Sequence, residues 1–257
     1  MNQPRNILHA PKGFFYLLRG MKLILSEWRL LRLAALPLVV NILIFVIFFF
    51  SFNYFAYEIS QWVFTQGDDV WYWHILSWIT GILLFSLSLV VVIFGFVAIG
   101  LVVAAPFNDM LCAAIEEKVT GKTISINMSI MELALYTMKN EGKKMVVIIA
   151  IQLVLILMNL IPVVGQFLFL VLNPLFLMIV AAFEFISFTL DRRGNSFAQK
   201  KDYLMSRLGL SLGFGLSVCI TLIIPVVNFI LLPVAVAGGT LFVIENPPDD
   251  AGEQNDG

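Results

Sequence analysis

The sequence predicts an all-α, polytopic integral membrane protein with two long transmembrane helices and two proline-broken helical hairpins that penetrate only part of the bilayer. Three observations lead there. Four stretches, 33–57, 70–108, 145–183 and 208–244, contain no Lys, Arg, Asp or Glu and together make up 140 of the 257 residues. All 16 Lys and Arg fall in the segments 1–32, 109–144 and 184–207. The tetrapeptide Ile-Pro-Val-Val occurs at 161–164 and again 63 positions later, near the middle of the third and fourth stretches. A soluble fold needs a polar face on each surface element, whereas about 20 apolar residues in a row suffice for a helix to cross the hydrocarbon core. Hydrophobic content of 60%, mean hydropathy of +0.93 and 13% charged residues exclude a disulfide scaffold and a disordered chain.

Residues 1–32 read as a basic amphipathic helix at the inner interface, without the apolar core and small-residue site of a cleaved signal. Phe14, Leu17, Leu18, Met21, Leu25 and Trp28 recur at helical spacing, opposite Arg19, Lys22, Ser26 and Arg29. A plain anchor ahead of the first span is the simpler alternative. Stretch 33–57 is the first transmembrane segment, with Pro37 in its first turn, where a missing amide hydrogen bond matters least. The connection 58–69, without Lys or Arg, belongs outside; His74, among Trp71, Tyr72, Trp73 and Trp78, joins an aromatic belt at that interface.

Stretch 70–108 is the second transmembrane segment. About 31 helical residues reach roughly 46 Å against a core of about 30 Å, so the helix tilts or its 103–108 end lies in the inner interface. Pro106 is expected to end it. Residues 109–144 follow as cytoplasmic helices.

Basic residues bracket 145–183 on both sides, so both its ends belong to the cytoplasmic face. Its halves, about 17 and 18 residues, are at the short limit for crossing. Two short crossings remain open, but the turn 161–165 has no charge, and Gln166 beside it is the nearest polar side chain, which favours a hairpin that dips in and returns. After the cytoplasmic segment 184–207, stretch 208–244 repeats the plan, and 246–257 is an acidic disordered tail. Proline-interrupted apolar segments in corresponding places point either to a transport site or simply to tight hairpins.

In each hairpin the returning half-helix presents free amides and its positive dipole end near the break, which favours anions. Asn159, Asn173 and Asn228 are neutral donors for such a path or for a neighbouring helix. No carboxylate lies within the four stretches, which favours downhill, channel-like movement; coupling at Asp109, Glu184 and Asp191 is the alternative. Nucleophile-elbow, zinc-protease and phosphate-loop motifs are absent, and Cys112, Cys219, His9 and His74 are isolated. The expectation is no enzyme, no cofactor, no metal and no nucleic acid.

The motifs Leu36-Pro37-Leu38-Val39-Val40-Asn41, Ala104-Ala105-Pro106-Phe107-Asn108, the paired Ile-Pro-Val-Val breaks, Leu212-Gly213-Phe214-Gly215 and 232–240 together resemble the CysZ-type sulfate permeases, within the etoposide-induced-protein superfamily. The likeness runs from about Gly13 to Ile244. It implies two long membrane helices, two pairs of partially penetrating helices, homo-oligomeric assembly, and sulfate uptake feeding cysteine synthesis across the bacterial cytoplasmic membrane, with both termini inside. The family's Gly-x-Arg-Arg stretch matches Arg29, Leu30, Leu31 and Arg32, so Leu31 replaces one paired arginine. Arg29, three positions before Arg32, shares its helical face and is the geometric substitute. Ser187-Phe188-Thr189 replaces the family's Asp-Tyr-Pro, while Asp191 matches a second family aspartate.

The anion path expected from these readings takes Arg29, Arg32, Asn41, Asn108, Pro162, Gly165, Pro225 and Asn228, with the lipid bilayer and a small inorganic anion, sulfate, as partners. Two readings compete with it. The arginines alternatively set topology and bind lipid phosphate, and the whole chain alternatively serves as a membrane scaffold whose hairpins wedge one leaflet.

Overall fold

The computed structural model describes residues 9–64, 71–122, 130–224 and 228–248. Among these residues eight helices follow one another: α1 (Ala10–Ser26), α2 (Trp28–Phe64), α3 (Trp71–Thr120), α4 (Ile130–Asn159), α5 (Val164–Arg192), α6 (Phe197–Ser206), α7 (Leu208–Leu222) and α8 (Asn228–Glu245). No strand occurs among the described residues. Among the described residues two helices are long and apolar enough to cross a membrane, Trp28–Phe52 with mean hydropathy 2.8 and Val164–Arg192 with 2.3. A third candidate is the pair α6 and α7, bent by 98° at Arg207.

The chain divides into two units, Ala35–Phe107 and the larger Met1–Ala34 with Asn108–Gly257. In the smaller unit, α2 and α3 expose large apolar side chains such as Ile47, Phe50, Leu83 and Phe85, as a lipid-facing surface requires. Helix α3 does not end at Pro106 but carries it inside and continues to Thr120. Proline removes one backbone hydrogen bond at a cost of about 3 kcal/mol. Burial of Leu111, Cys112, Ala114 and Ile115 in the larger unit offsets that cost, since burying one such aliphatic side chain is worth about 1.5–3 kcal/mol.

The larger unit is a bundle in which α1 and α5 pack against α7 and α8. Glycines set its spacing. A Cβ on Gly213 of α7 would fall 1.9 Å from the Ala10 carbonyl oxygen of α1, and one on Gly20 of α1 would fall 2.5 Å from the Gly238 nitrogen of α8. A Cβ on Gly215 would fall 1.8 Å from the Met178 carbonyl oxygen of α5. Between lipid-facing helices the hydrophobic effect supplies little, and small residues allow the van der Waals contact that holds them. Helix α1 therefore buries Gly13, Tyr16, Leu17, Gly20 and Ile24, while Leu18, Met21 and Leu25 stay exposed. It is built into the bundle, and the apolar spacing read from the sequence marks mainly the row it leaves outside. Phe242 sits between Tyr16, Tyr203 and Phe214, with ring centroids 5.2–6.2 Å apart.

Helices α4 and α5 fold back on each other. Gln152 donates a 3.1 Å hydrogen bond to Asn173, satisfying two amides on an otherwise apolar seam. In the turn, the Val164 amide donates to the Pro162 carbonyl at 2.8 Å and Val163 takes φ 66° and ψ −68°. This is the rare γ-turn of positive φ, strained for a β-branched residue. A Cβ on Gly165 would lie 1.8 Å from the Met158 carbonyl oxygen, so the returning helix starts in backbone contact with the entering one.

Polar ties lie at the ends of both charge-free stretches 145–183 and 208–244. Lys144 donates to Glu184 at 2.7 Å, joining the ends of 145–183, and also pairs with Glu141. Burial acts to lower the Lys144 pKa, but the two glutamates outweigh it and hold the ammonium above its ordinary value. At the base of 208–244, Arg207 donates to the Pro247 carbonyl at 2.7 Å and Tyr203 to the Asn246 carbonyl at 2.6 Å. Arg19 of α1 pairs with Glu245, just past that stretch, with a 2.8 Å hydrogen bond, and Tyr16 donates to the same carboxylate at 3.0 Å. The turn 225–227 lies outside the described residues.

The turn geometry makes a test. Gly165→Ala is expected to destabilise by about 1–3 kcal/mol through overpacking. Val163→Gly removes an exposed side chain and relieves about 1–3 kcal/mol of backbone strain, against roughly 1 kcal/mol of glycine entropy. Thermal unfolding in detergent should show the first variant melting earlier and the second at or above the parent.

Candidate functional site

Helix α1 stops at Ser26 because Glu27 is extended, with φ −130° and ψ 115°, and α2 restarts at Trp28. That break re-aims the basic stretch. Trp28, Arg29, Arg32 and Leu33 form one wall of an open cleft of about 580 Å³, and Met110, Ala113, Ala114 and Glu117 of α3 form the other. Both sets follow the i, i+3, i+4 spacing that puts side chains on one helix face. The two alanines leave the volume, while Leu30 and Leu31 turn the other way into or against the core.

Two ion pairs cross the rim: Glu27 with Lys118, and Arg29 with Glu117 at 3.0 Å. The Arg32 guanidinium lies 5.1 Å from the Trp28 ring centroid, a cation–π contact that holds the charge over the cleft. Arginine presents five N–H donors in a planar fork and never gives up its proton, so the pair of them suits a fully ionised oxyanion and no proton transfer.

Behind this cleft α3 turns its other face to α5. Glu116, 1% exposed, receives Arg193 at 3.0 Å and lies 3.7 Å from Arg192, whose guanidinium also reaches Asp109 at 2.6 Å. Asp191 accepts from the buried Lys200 at 2.7 Å. Cys112 is fully buried beside Thr240, whose hydroxyl is 3.3 Å away, and burial pushes the thiol up to about 11. The contacts of Glu116, Asp109 and Cys112 position α3, the Asp191–Lys200 pair ties α5 to α6, and none of these groups lines the cleft.

Of the residues expected from sequence, the structure brings Arg29 and Arg32 together. Asn108 is buried at the start of the larger unit's share of α3. Pro162 belongs to the α4–α5 turn and Gly165 to the first turn of α5, and neither lines the cleft. Pro225 lies outside the described residues, as do the side chains of Asn41 and Asn228. Sequence reasoning missed Glu117, Met110 and Ala113, because their spacing on α3 acquires meaning only once α2 faces them. Among the described residues no group of three or more His, Cys, Asp or Glu is gathered as a metal site.

Comparison with known proteins bears on what binds here. The family described as sulfate transporter CysZ/etoposide-induced protein 2.4 matches residues 16–233. The chain is 33% identical over 251 residues to the sulfate transporter CysZ of Pseudomonas syringae pv. tomato, covering 94% of this chain and 95% of that one. It is 33% identical over 248 residues to the protein of that name from Pseudomonas fluorescens, covering 93% and 94%. With the Vibrio parahaemolyticus sulfate transporter CysZ it shares 30% over 234 residues, covering 89% and 92%.

The buried ionic cluster behind the cleft is open to mutation. Arg193→Leu leaves Glu116 with only the longer Arg192 contact and is expected to destabilise by about 3 kcal/mol. Arg193→Leu combined with Glu116→Leu should recover most of that loss in detergent melting curves, whereas equal loss in both variants would mean that packing, not charge, is at stake.

Proposed function

Because the chain belongs to the sulfate transporter CysZ/etoposide-induced protein 2.4 family, we propose that it lets sulfate cross the bacterial cytoplasmic membrane, with Arg29 and Arg32 receiving the anion at the cytoplasmic mouth. The observation that carries this reading is the cleft itself, where two permanent cations three residues apart share one wall. A charge-assisted hydrogen bond is worth roughly 1.5–3 kcal/mol. The family arginine lost at Leu31 is made good by Arg29, which lies one turn before Arg32 on the same helix face.

The reading places Lys144, Glu184, Arg19, Arg207 and Glu245 in the cytoplasm. Their mutual ties support it, since each charge-free hairpin has its two ends bound together and the second is also bound to basic α1. With both ends of each hairpin inside, both termini are cytoplasmic, and the hairpins penetrate partway with the Pro162–Gly165 and Pro225–Asn228 breaks shaping the path. The exposed row Leu18, Met21 and Leu25 beside Lys22 suits α1 to the inner interface. Without a carboxylate in the four stretches, movement is downhill and channel-like, no catalytic step is involved, and the working form is a homo-oligomer. The transporter names of the relatives count against the scaffold alternative.

Two measurements test this. Proteoliposomes should take up labelled sulfate down its gradient, and Arg29→Leu with Arg32→Leu should reduce the initial rate at low sulfate by about 10-fold or more; an unchanged rate would remove the arginines from the path. A cysteine introduced at Val164 should resist membrane-impermeant thiol reagents from outside the cell, whereas full labelling from outside would mean that the α4–α5 hairpin crosses completely.

A further inference from the structure

The cation facing the cleft at Arg29 is already engaged. Glu117 Oε2 lies 3.0 Å from its guanidinium, both side chains line the cavity, and both are largely open to water, at 67% and 50% exposure. Arg32, by contrast, rests on the Trp28 ring and has no carboxylate partner among the described residues. A carboxylate and a free oxyanion use the same donors of the guanidinium fork, so they exclude each other there.

We propose that Glu117 is a tethered counter-ion that competes with the incoming oxyanion for Arg29 and keeps the site weak enough to release it. The inference rests on the cleft being the anion's entry site. Exposed pairs are weak, so an arriving anion already held by Arg32 displaces Glu117 readily. While Glu117 occupies Arg29, the apparent affinity falls by the fraction of time Arg29 is free, and when the anion moves on, the carboxylate returns and closes the vacancy. Conduction requires this balance, because an ion that binds too well does not leave. Glu117 needs no role in folding: the neighbouring Glu27–Lys118 pair spans the same rim, and Leu111 and Ile115 anchor α3 from its other side.

The test is equilibrium binding of labelled sulfate to the full chain in detergent at low salt. Glu117→Gln should bind about 2- to 5-fold tighter than the parent, the range set by a solvent-exposed ion pair. Glu117→Asp, which keeps the charge, should stay near the parent. The gain must act through Arg29, so Glu117→Gln should make no difference in an Arg29→Leu background, and Asp202→Asn, an exposed carboxylate away from the cleft, should have no effect. Tighter binding confined to the chain that retains Arg29 supports the proposal. Parent binding that needs Arg32 but is unchanged by Glu117→Gln overturns it while leaving the entry site standing. Binding indifferent to both arginines overturns the entry site and the counter-ion together. Competition of anionic lipid vesicles with sulfate for Arg32 would reassign the cleft to a headgroup phosphate, overturning both.

Discussion

The direct backbone approach of α1 to α7 and α8 is the contact on which the larger unit depends. Gly13, Gly20, Gly213 and Gly238 have no room for a Cβ, so the helices meet main chain to main chain. Lipid tails solvate leucine as well as another helix does, so apolar side chains alone would not select this arrangement, whereas interlocked backbones gain dispersion contacts that lipid cannot match. Once α1 is fixed, the extended residue Glu27 dictates where α2 begins, and with it where Arg29 and Arg32 point. The position of the cleft is therefore a consequence of glycine packing more than one helix turn away.

Charge is organised in two tiers. Exposed pairs cross the rim of the cleft, where they are weak and exchangeable, while the buried Glu116, Arg192 and Arg193 bind α3 to α5 where breaking them is expensive. Adjacent residues of α3, Glu116 and Glu117, thus serve opposite purposes, because successive positions on a helix face different directions. The same economy appears along the stretches 145–183 and 208–244: neither carries a charge, and polar groups gather at their ends, where Lys144 meets Glu184 and Arg207 meets Pro247.

Several elements were legible before any coordinates. The all-helical class and the spanning length of α2 follow from charge-free length, and the shared face of Arg29 and Arg32 follows from their three-residue spacing; the other described helix long enough to span is α5, expected as half of a partial hairpin. One reading failed to carry through and two were incomplete, for separate reasons. Pro106 suggested a helix end, yet downstream burial of Leu111 and Ile115 outweighs one missing hydrogen bond. The apolar row of α1 suggested a helix on the inner membrane surface, but not that glycines, which hydropathy treats as nearly neutral, would pack its other side into the bundle. The turn 161–165 suggested a break, but not that Val163 would sit at positive φ.

Composition and the order of charges alone determined that this chain lives in a bilayer and which segments are basic, because those properties depend on transfer free energies that add up along the sequence. Only the tertiary structure decided that Glu117 would face Arg29, that Glu116 would be buried against Arg193, and that α1 would join the bundle. Such pairings join residues separated by tens to hundreds of positions, and no local preference encodes them; they arise when close-packed backbones leave each side chain a single direction in which to find a partner.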